Sequence, residues 1–165
     1  MTSRKAPQLR RIVTTAEASG KSVLWMDGLA ANHKFPNEHA SSTLIWSTDR
    51  SPAPFTGDED AGARILGTAP PDHGTRFAVV ELQPNAHVPD QHRTDTLDYV
   101  ICMAGEVTMY IDDGKVEMKA GDVMVQRGTS HAWANHGSEI ARIAFVLIDG
   151  EPKREGSLHG TVNAR

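Results

Sequence analysis

Two runs decide how this chain folds. The first is His92-Arg-Thr-Asp-Thr-Leu-Asp98, continuing into Tyr99-Val-Ile-Cys-Met-Ala-Gly105. The second is Gly121-Asp-Val-Met-Val-Gln-Arg-Gly128, continuing to His131-Ala-Trp133-Ala-Asn135. In the first, His92, Thr94, Thr96, Asp98, Val100 and Cys102 all fall on even positions. Strand side chains alternate with period two, so an extended run puts these residues on one face. Polar groups sharing a face with Val and Cys cost several kcal/mol when buried without partners, so that face is expected to line a cavity. The second run supplies another histidine where a returning strand can meet the first. The result is a candidate pocket with two imidazoles and one carboxylate.

Outward from these runs the chain reads as short strands broken by turn residues. Arg76–Leu82, Thr96–Met103, Glu106–Ile111, Lys115–Lys119, Val123–Arg127, His131–Asn135 and Glu139–Ile148 are strand candidates. Asp112-Asp113-Gly114 carries the Asp-Gly signature of a two-residue hairpin between the third and fourth of them. Toward the N-terminus Leu9–Val13, Ser22–Met26 and Thr43–Ser47 also read as strands, with 28–41 as loop. Residues 56–75 read as a long surface connection with a helical turn at 58–65, and loops of that length often serve as lids or dimer contacts. No long amphipathic helix is expected. Such a pattern argues for an all-β sandwich or barrel.

With 165 residues the chain is long enough for one domain with a continuous core. A net charge of −4 leaves no electrostatic footprint for nucleic acid or an anionic membrane. A single cysteine rules out an intrachain disulfide. The polar N-terminus and short apolar runs suggest neither signal peptide nor membrane helix, and a cytoplasmic protein is expected.

The two runs resemble the paired motifs of the cupin superfamily, which read G-x5-H-x-H-x(3,4)-E-x6-G and G-x5-P-x-G-x2-H-x3-N. Anchored on Gly105, the resemblance puts Asp98 at the glutamate position, Thr94 at the second histidine, His92 at the first and Ala86 at the leading glycine. Gly121, Gly128, His131 and Asn135 fit the second motif, with Gln126-Arg127 where the proline is expected. The resemblance extends to most of the chain, including Arg10–Thr14, Trp46–Asp49 and Arg142–Ile148. It implies a double-stranded β-helix (jelly-roll) barrel at 76–150. Residues 1–75 would form an N-terminal extension of strands and loops packing on the barrel or a dimer partner, and 151–165 a C-terminal tail. A homodimer is expected.

Members of the superfamily commonly bind a divalent metal through three histidines and a glutamate. By resemblance His92, Asp98 and His131 are candidate catalytic residues and candidate ligands for Fe, Mn, Ni or Zn, in the two-histidine, one-carboxylate pocket of a metal-dependent enzyme of dioxygenase-, decarboxylase- or isomerase-like type. Asp98 is one C–C bond, roughly 1.5 Å, shorter than the usual glutamate. The alternative is a metal-free polar pocket in which Asp98 orients a histidine that acts as general base, as in a dehydratase, cyclase or isomerase. A non-catalytic binding module is the third reading. Thr94, Trp133, Glu81, Val100 and Phe77 are candidate substrate-pocket residues: Thr94 fills the vacated histidine space or donates to a ligand, and Trp133 is pocket wall or core. Phe77 and Glu81 alternate together on their strand, with Glu81 at an exposed end or in the cavity. Cys102 is expected to be a buried structural thiol. The expected substrate is a small molecule of a class the sequence does not specify.

Overall fold

The structure, a computed structural model, describes residues 7–87 and 90–151, with the side chain of His87 excepted. The expected C-terminal tail beyond Glu151, His159 within it, and most of the N-terminal arm lie outside the described residues. The twelve strands are β1 (Arg10–Ala16), β2 (Ser22–Leu29), β3 (His33–Asn37), β4 (Ala40–Thr48), β5 (Thr75–Leu82), β6 (Ala86–His87), β7 (Thr96–Ala104), β8 (Glu106–Ile111), β9 (Gly114–Lys119), β10 (Val123–Arg127), β11 (Ala132–Asn135) and β12 (Ala141–Asp149). No helix occurs among the described residues, and so none is long and apolar enough to cross a membrane.

Three sheets form. β1 and β2 make a hairpin of their own. A six-stranded sheet runs in the order β10-β7-β12-β5-β4-β3 and a four-stranded sheet in the order β6-β11-β8-β9. Every pairing is antiparallel. The strands of the two larger sheets interleave along the chain, which is the jelly-roll pattern expected from the two motifs. Leu82, Val100, Cys102, Val107, Met109, Met118, Trp133 and Ile143 form the core between the sheets.

In β7 the alternation is as read: Thr96, Asp98, Val100 and Cys102 are buried, whereas Tyr99, Ile101 and Met103 are exposed. Gly105 follows at φ +70°, where a Cβ would stand 2.9 Å from the Ile140 carbonyl oxygen, so only glycine turns the chain here without strain. At the end of the second motif Asn135 is fully buried. Its amide donates to the carbonyls of Leu82 (3.1 Å) and Glu139 (2.8 Å), and its oxygen accepts from Gly137 N (2.9 Å). This asparagine closes the turn before β12.

Two sequence expectations are corrected. The stretch 28–41 is not all loop, because β3 pairs with β4. Pro36 is tolerated there because β3 is the outermost strand of its sheet. β3 and β4, from the expected N-terminal extension, continue the sheet past β5. No helical turn forms at 58–65. Instead the Asp60 carboxylate accepts from Gly62 N (2.9 Å) and holds the Arg11 guanidinium with both oxygens, 2.8 and 2.7 Å away, tying β1 to the connection. The β8–β9 hairpin turns on Asp112-Asp113, with Gly114 already paired to Ile111.

Candidate functional site

The inward residues of the six-stranded sheet, with His131 and Trp133 from β11 and the turn before it, enclose a cavity of about 560 Å³. That is ample for a ligand of ordinary metabolite size. Val80, Leu82, Ile143, Phe145 and Leu147 supply apolar wall, and Gly67 and Thr68 of the long connection complete the lining.

His92 and His131 meet first through the backbone, each N–H donating to the other's carbonyl at 2.9 Å. This close antiparallel pair brings the rings to 4.4 Å between centroids, tilted by 55°. They differ in setting. His131 is buried, while His92 is exposed at the rim. The even-numbered face of the first run is thus buried from Thr96 onward and reaches solvent at His92.

Asp98 is 3% exposed and lies across β7–β10 from Gln126. The Gln126 amide occupies the space between the two functional groups, with Nε2 3.1 Å from Asp98 Oδ2 and 3.0 Å from His131 Nδ1. His131 Nδ1 also lies 2.9 Å from the Thr129 carbonyl. A carbonyl oxygen only accepts, whereas an amide can present either end by turning over. Thr129 therefore decides the tautomer: Nδ1 carries the proton and Nε2 keeps its lone pair. With the Gln126 oxygen turned toward Nδ1–H, a protonated Asp98 is the form that can donate to that same oxygen.

Burial acts in the same sense. It pushes the Asp98 carboxyl above the usual carboxylate range, outweighing the Thr96 hydroxyl and the charge of His92, which lower it. Burial also lowers His131, against the Thr129 carbonyl, which raises it, and with a further lowering from His92. Both groups are driven toward their neutral forms, a proton donor beside a proton acceptor.

Of the expected pocket residues, Thr94 and Trp133 line the cavity. The Thr94 hydroxyl pairs with that of Thr96 at 2.8 Å rather than with Asp98. Trp133 is both wall and core, edge-on to His131 and Phe145, and its indole Nε1 has no partner among the described residues. Val100 is buried in the core and takes no part in the lining. Phe77 and Glu81 stand on the opposite face of β5, because Arg76, Val80 and Leu82 are the ones that face the cavity. Phe77 joins Trp25, Trp46 and Phe55 around a separate groove under the β1–β2 hairpin. Glu81 binds Arg142 through Oε1 at 2.6 and 2.9 Å. The Cys102 thiol is buried and directed at the Ala104 and Gly105 carbonyls, and burial raises its pKa.

Among the polar residues that escaped the sequence reading are Gln126, beside Asp98 and His131, and Arg76 on the cavity wall. Gln126 is a lone polar residue on the buried parity of an apolar strand, and Arg76 shares the parity of Val80 and Leu82. Those were the available signals.

The donor set was tested for the expected metal. Among the described residues no three His, Cys, Asp or Glu side chains are grouped to hold an ion. Gln126 stands between Asp98 and His131 and fills the space an ion shared by the two would need, although the Nε2 lone pair of His131 itself remains open. As arranged, His92, Asp98 and His131 do not fit a metal centre.

Comparison with known proteins extends over most of the chain. Residues 78–148 match the Cupin_2 family, described as Cupin domain. The chain is 35% identical over 158 residues to the cupin-domain-containing oxidoreductase virC of Hypocrea virens, an alignment covering 89% of this chain and 80% of that protein. It is 32% identical to the cupin-domain-containing oxidoreductase fogC of Aspergillus ruber, covering 84% of this chain and 71% of that one. It is 30% identical to Phomopsin biosynthesis cluster protein D of Diaporthe leptostromiformis, covering 97% and 90%. Among solved structures, the Schizosaccharomyces pombe Cnp3 cupin domain superposes with a TM-score of 0.52 at 13% identity, over 85% of this chain and 87% of that domain, a likeness of fold.

Proposed function

The chain belongs to the cupin family, and from that premise we propose that it is a small-molecule enzyme that moves a proton on a carbonyl compound held in the barrel, as an isomerase or dehydratase does. One observation carries this reading. His131 and Asp98, both buried and linked through the Gln126 amide, open on one largely apolar cavity. His131 Nε2 is the base and takes a proton from the carbon next to the substrate carbonyl. The Asp98 carboxyl is the acid and gives its proton to the carbonyl oxygen, forming an enol. Returning the carbon-bound proton at a conjugated position, with Asp98 recovering its own, completes an isomerisation. Alternatively the His131 imidazolium gives its proton to a β-hydroxyl, which leaves as water while the enol O–H proton returns to Asp98, completing a dehydration. General acid and base groups placed in this way each contribute about 10²–10⁴-fold.

The biosynthesis-cluster names of some relatives support a place in biosynthesis, and the oxidoreductase class printed for others is compatible with such a shift. Moving a double bond along a carbonyl compound oxidises one carbon while reducing another, with no external electron acceptor. The test uses protein purified without a histidine tag, in D₂O, with 2-decanone and 3-decen-2-one as probes. Deuterium uptake next to the carbonyl, unchanged by a chelator and lost in His131→Ala, is the expected result. Uptake that appears only when Fe, Mn, Ni or Zn is added would sink the metal-free reading and restore a metal-dependent one.

A further inference from the structure

Arg76 is 93% buried by residue surface and has no carboxylate partner among the described residues. Its Nη2 donates to the Ser42 hydroxyl at 3.0 Å and its Nε has no partner among the described residues. A desolvated guanidinium left unpaired costs far more than a paired one, and burial accordingly lowers its pKa. Arginine cannot escape that cost by giving up its proton, unlike lysine. On this cavity wall the guanidinium therefore lacks an anionic partner among the described residues.

Strand register says where such a partner belongs. Arg76, Leu147, Asp98 and Gln126 stand opposite one another in a single row across β5, β12, β7 and β10. Two strand spacings separate the Arg76 and Asp98 backbones, about 10 Å. Leu147 stands between them, and the guanidinium turns the other way, toward Ser42 on β4. The only acidic side chain among the lining residues is therefore not the partner of the buried cation. Lys34 also lines the cavity, but it is exposed and its ammonium bonds the Leu66 carbonyl.

We propose that Arg76, assisted by the Ser42 hydroxyl, is an anion-binding site for a carboxylate on the ligand, whose apolar body crosses Leu147 and Phe145 to reach the His131–Asp98 end. The substrate class is thus an amphipathic monocarboxylate with a carbonyl remote from the carboxylate. A single buried positive charge matches a monoanion, and the planar fork of the guanidinium matches a carboxylate. Placing the substrate's carbonyl at the other end rests on the acid–base reading above; the carboxylate site stands on Arg76 itself.

The test is equilibrium binding of decanoate, methyl decanoate, decanol and decyl phosphate to the full chain and to Arg76→Gln. The expected result is decanoate bound about ten- to a hundredfold more tightly than its ester or alcohol by the unaltered chain, the range of a charge-assisted hydrogen bond. That preference disappears in Arg76→Gln, while the ester and alcohol bind both proteins alike. Arg76→Met takes the place of the glutamine variant should that one not fold, with the same readings. Equal binding of acid, ester and alcohol overturns the site, as does a carboxylate preference that survives both substitutions. Tighter binding of decyl phosphate than of decanoate overturns its assignment to carboxylates. Decanoate carries no ketone, so carboxylate preference without deuterium uptake on the ketone probes overturns the acid–base reading alone, and uptake without the preference overturns the Arg76 site alone.

Discussion

Asp98 and Gln126 face each other across β7 and β10, and the amide of the second fills the gap between the carboxyl of the first and the imidazole of His131. A two-histidine, one-carboxylate face thereby becomes a hydrogen-bonded relay. The amide holds the imidazole in place and meets the acid, so shortening it should disturb both. In Gln126→Ala the rate of deuterium uptake on the ketone probes is expected to fall about a hundredfold, the cost of a reacting group misplaced by about an ångström. Uptake at the rate of the unaltered chain would remove Gln126 from the relay.

The two buried titrating groups predict opposite pH trends in stability. His131 is lowered on folding, so below its ordinary value of 6.5 the unfolded chain binds the extra proton. Stability is then lost as pH falls from there through the folded value. Asp98 is raised on folding, so above its ordinary value of 3.8 the folded chain holds the extra proton. Stability is then lost as pH rises from there through the folded value. In melting temperatures measured across the acid range, His131→Gln should flatten the first trend and Asp98→Asn the second. Unchanged profiles would mean the groups titrate alike in both states.

Two of the family motif positions are structural, and their replacement should act on stability alone. Gly105→Ala forces a left-handed backbone on a residue with a Cβ, at about 1–2 kcal/mol, before the contact with the Ile140 carbonyl is counted. Asn135→Ala strands the Leu82 and Glu139 carbonyls and the Gly137 N–H, each worth about 1–3 kcal/mol when buried and unmatched. Denaturant midpoints should fall in both. An Asn135→Ala midpoint equal to that of the unaltered chain would show that water replaces its bonds.

On the outer face of the six-stranded sheet Val125 and Tyr99 lie in register beside Val123 and Ile101, and all four are exposed, whereas Ala144 and Val79 farther along are covered by Leu9 and Ala30. Val123 is 75% exposed and Val125 59%, on a strand that is itself a sheet edge. Apolar sheet faces of this extent are ordinarily covered by a partner, and a second copy is the expected one. Light scattering should give a dimer mass that Val125→Lys with Tyr99→Lys reduces to a monomer. A monomeric mass for the unaltered chain at micromolar concentration would remove the expectation.

Much of this was legible in the sequence, for definite reasons. The parity of β7 was readable because one side of the strand is wet and the other dry, so polarity reports facing. On β5 that contrast is missing. Val79 and Glu81 are buried on one side and Ala78 and Leu82 on the other, so alternation alone could not orient Phe77 and Glu81. Gln126 acquires its meaning only through its cross-strand register with Asp98, which a linear pattern does not carry. β3 escaped because an edge strand with a proline needs neither period nor continuous pairing.

The lone cysteine has a practical consequence. Cys102 is sealed in the core, so thiol reagents should pass over the native protein. A cysteine substituted at Phe55, which is 93% exposed, would then be a unique attachment point for a fluorophore or spin label. The native thiol becomes a clock: its rate of alkylation counts how often the barrel opens far enough to admit the reagent.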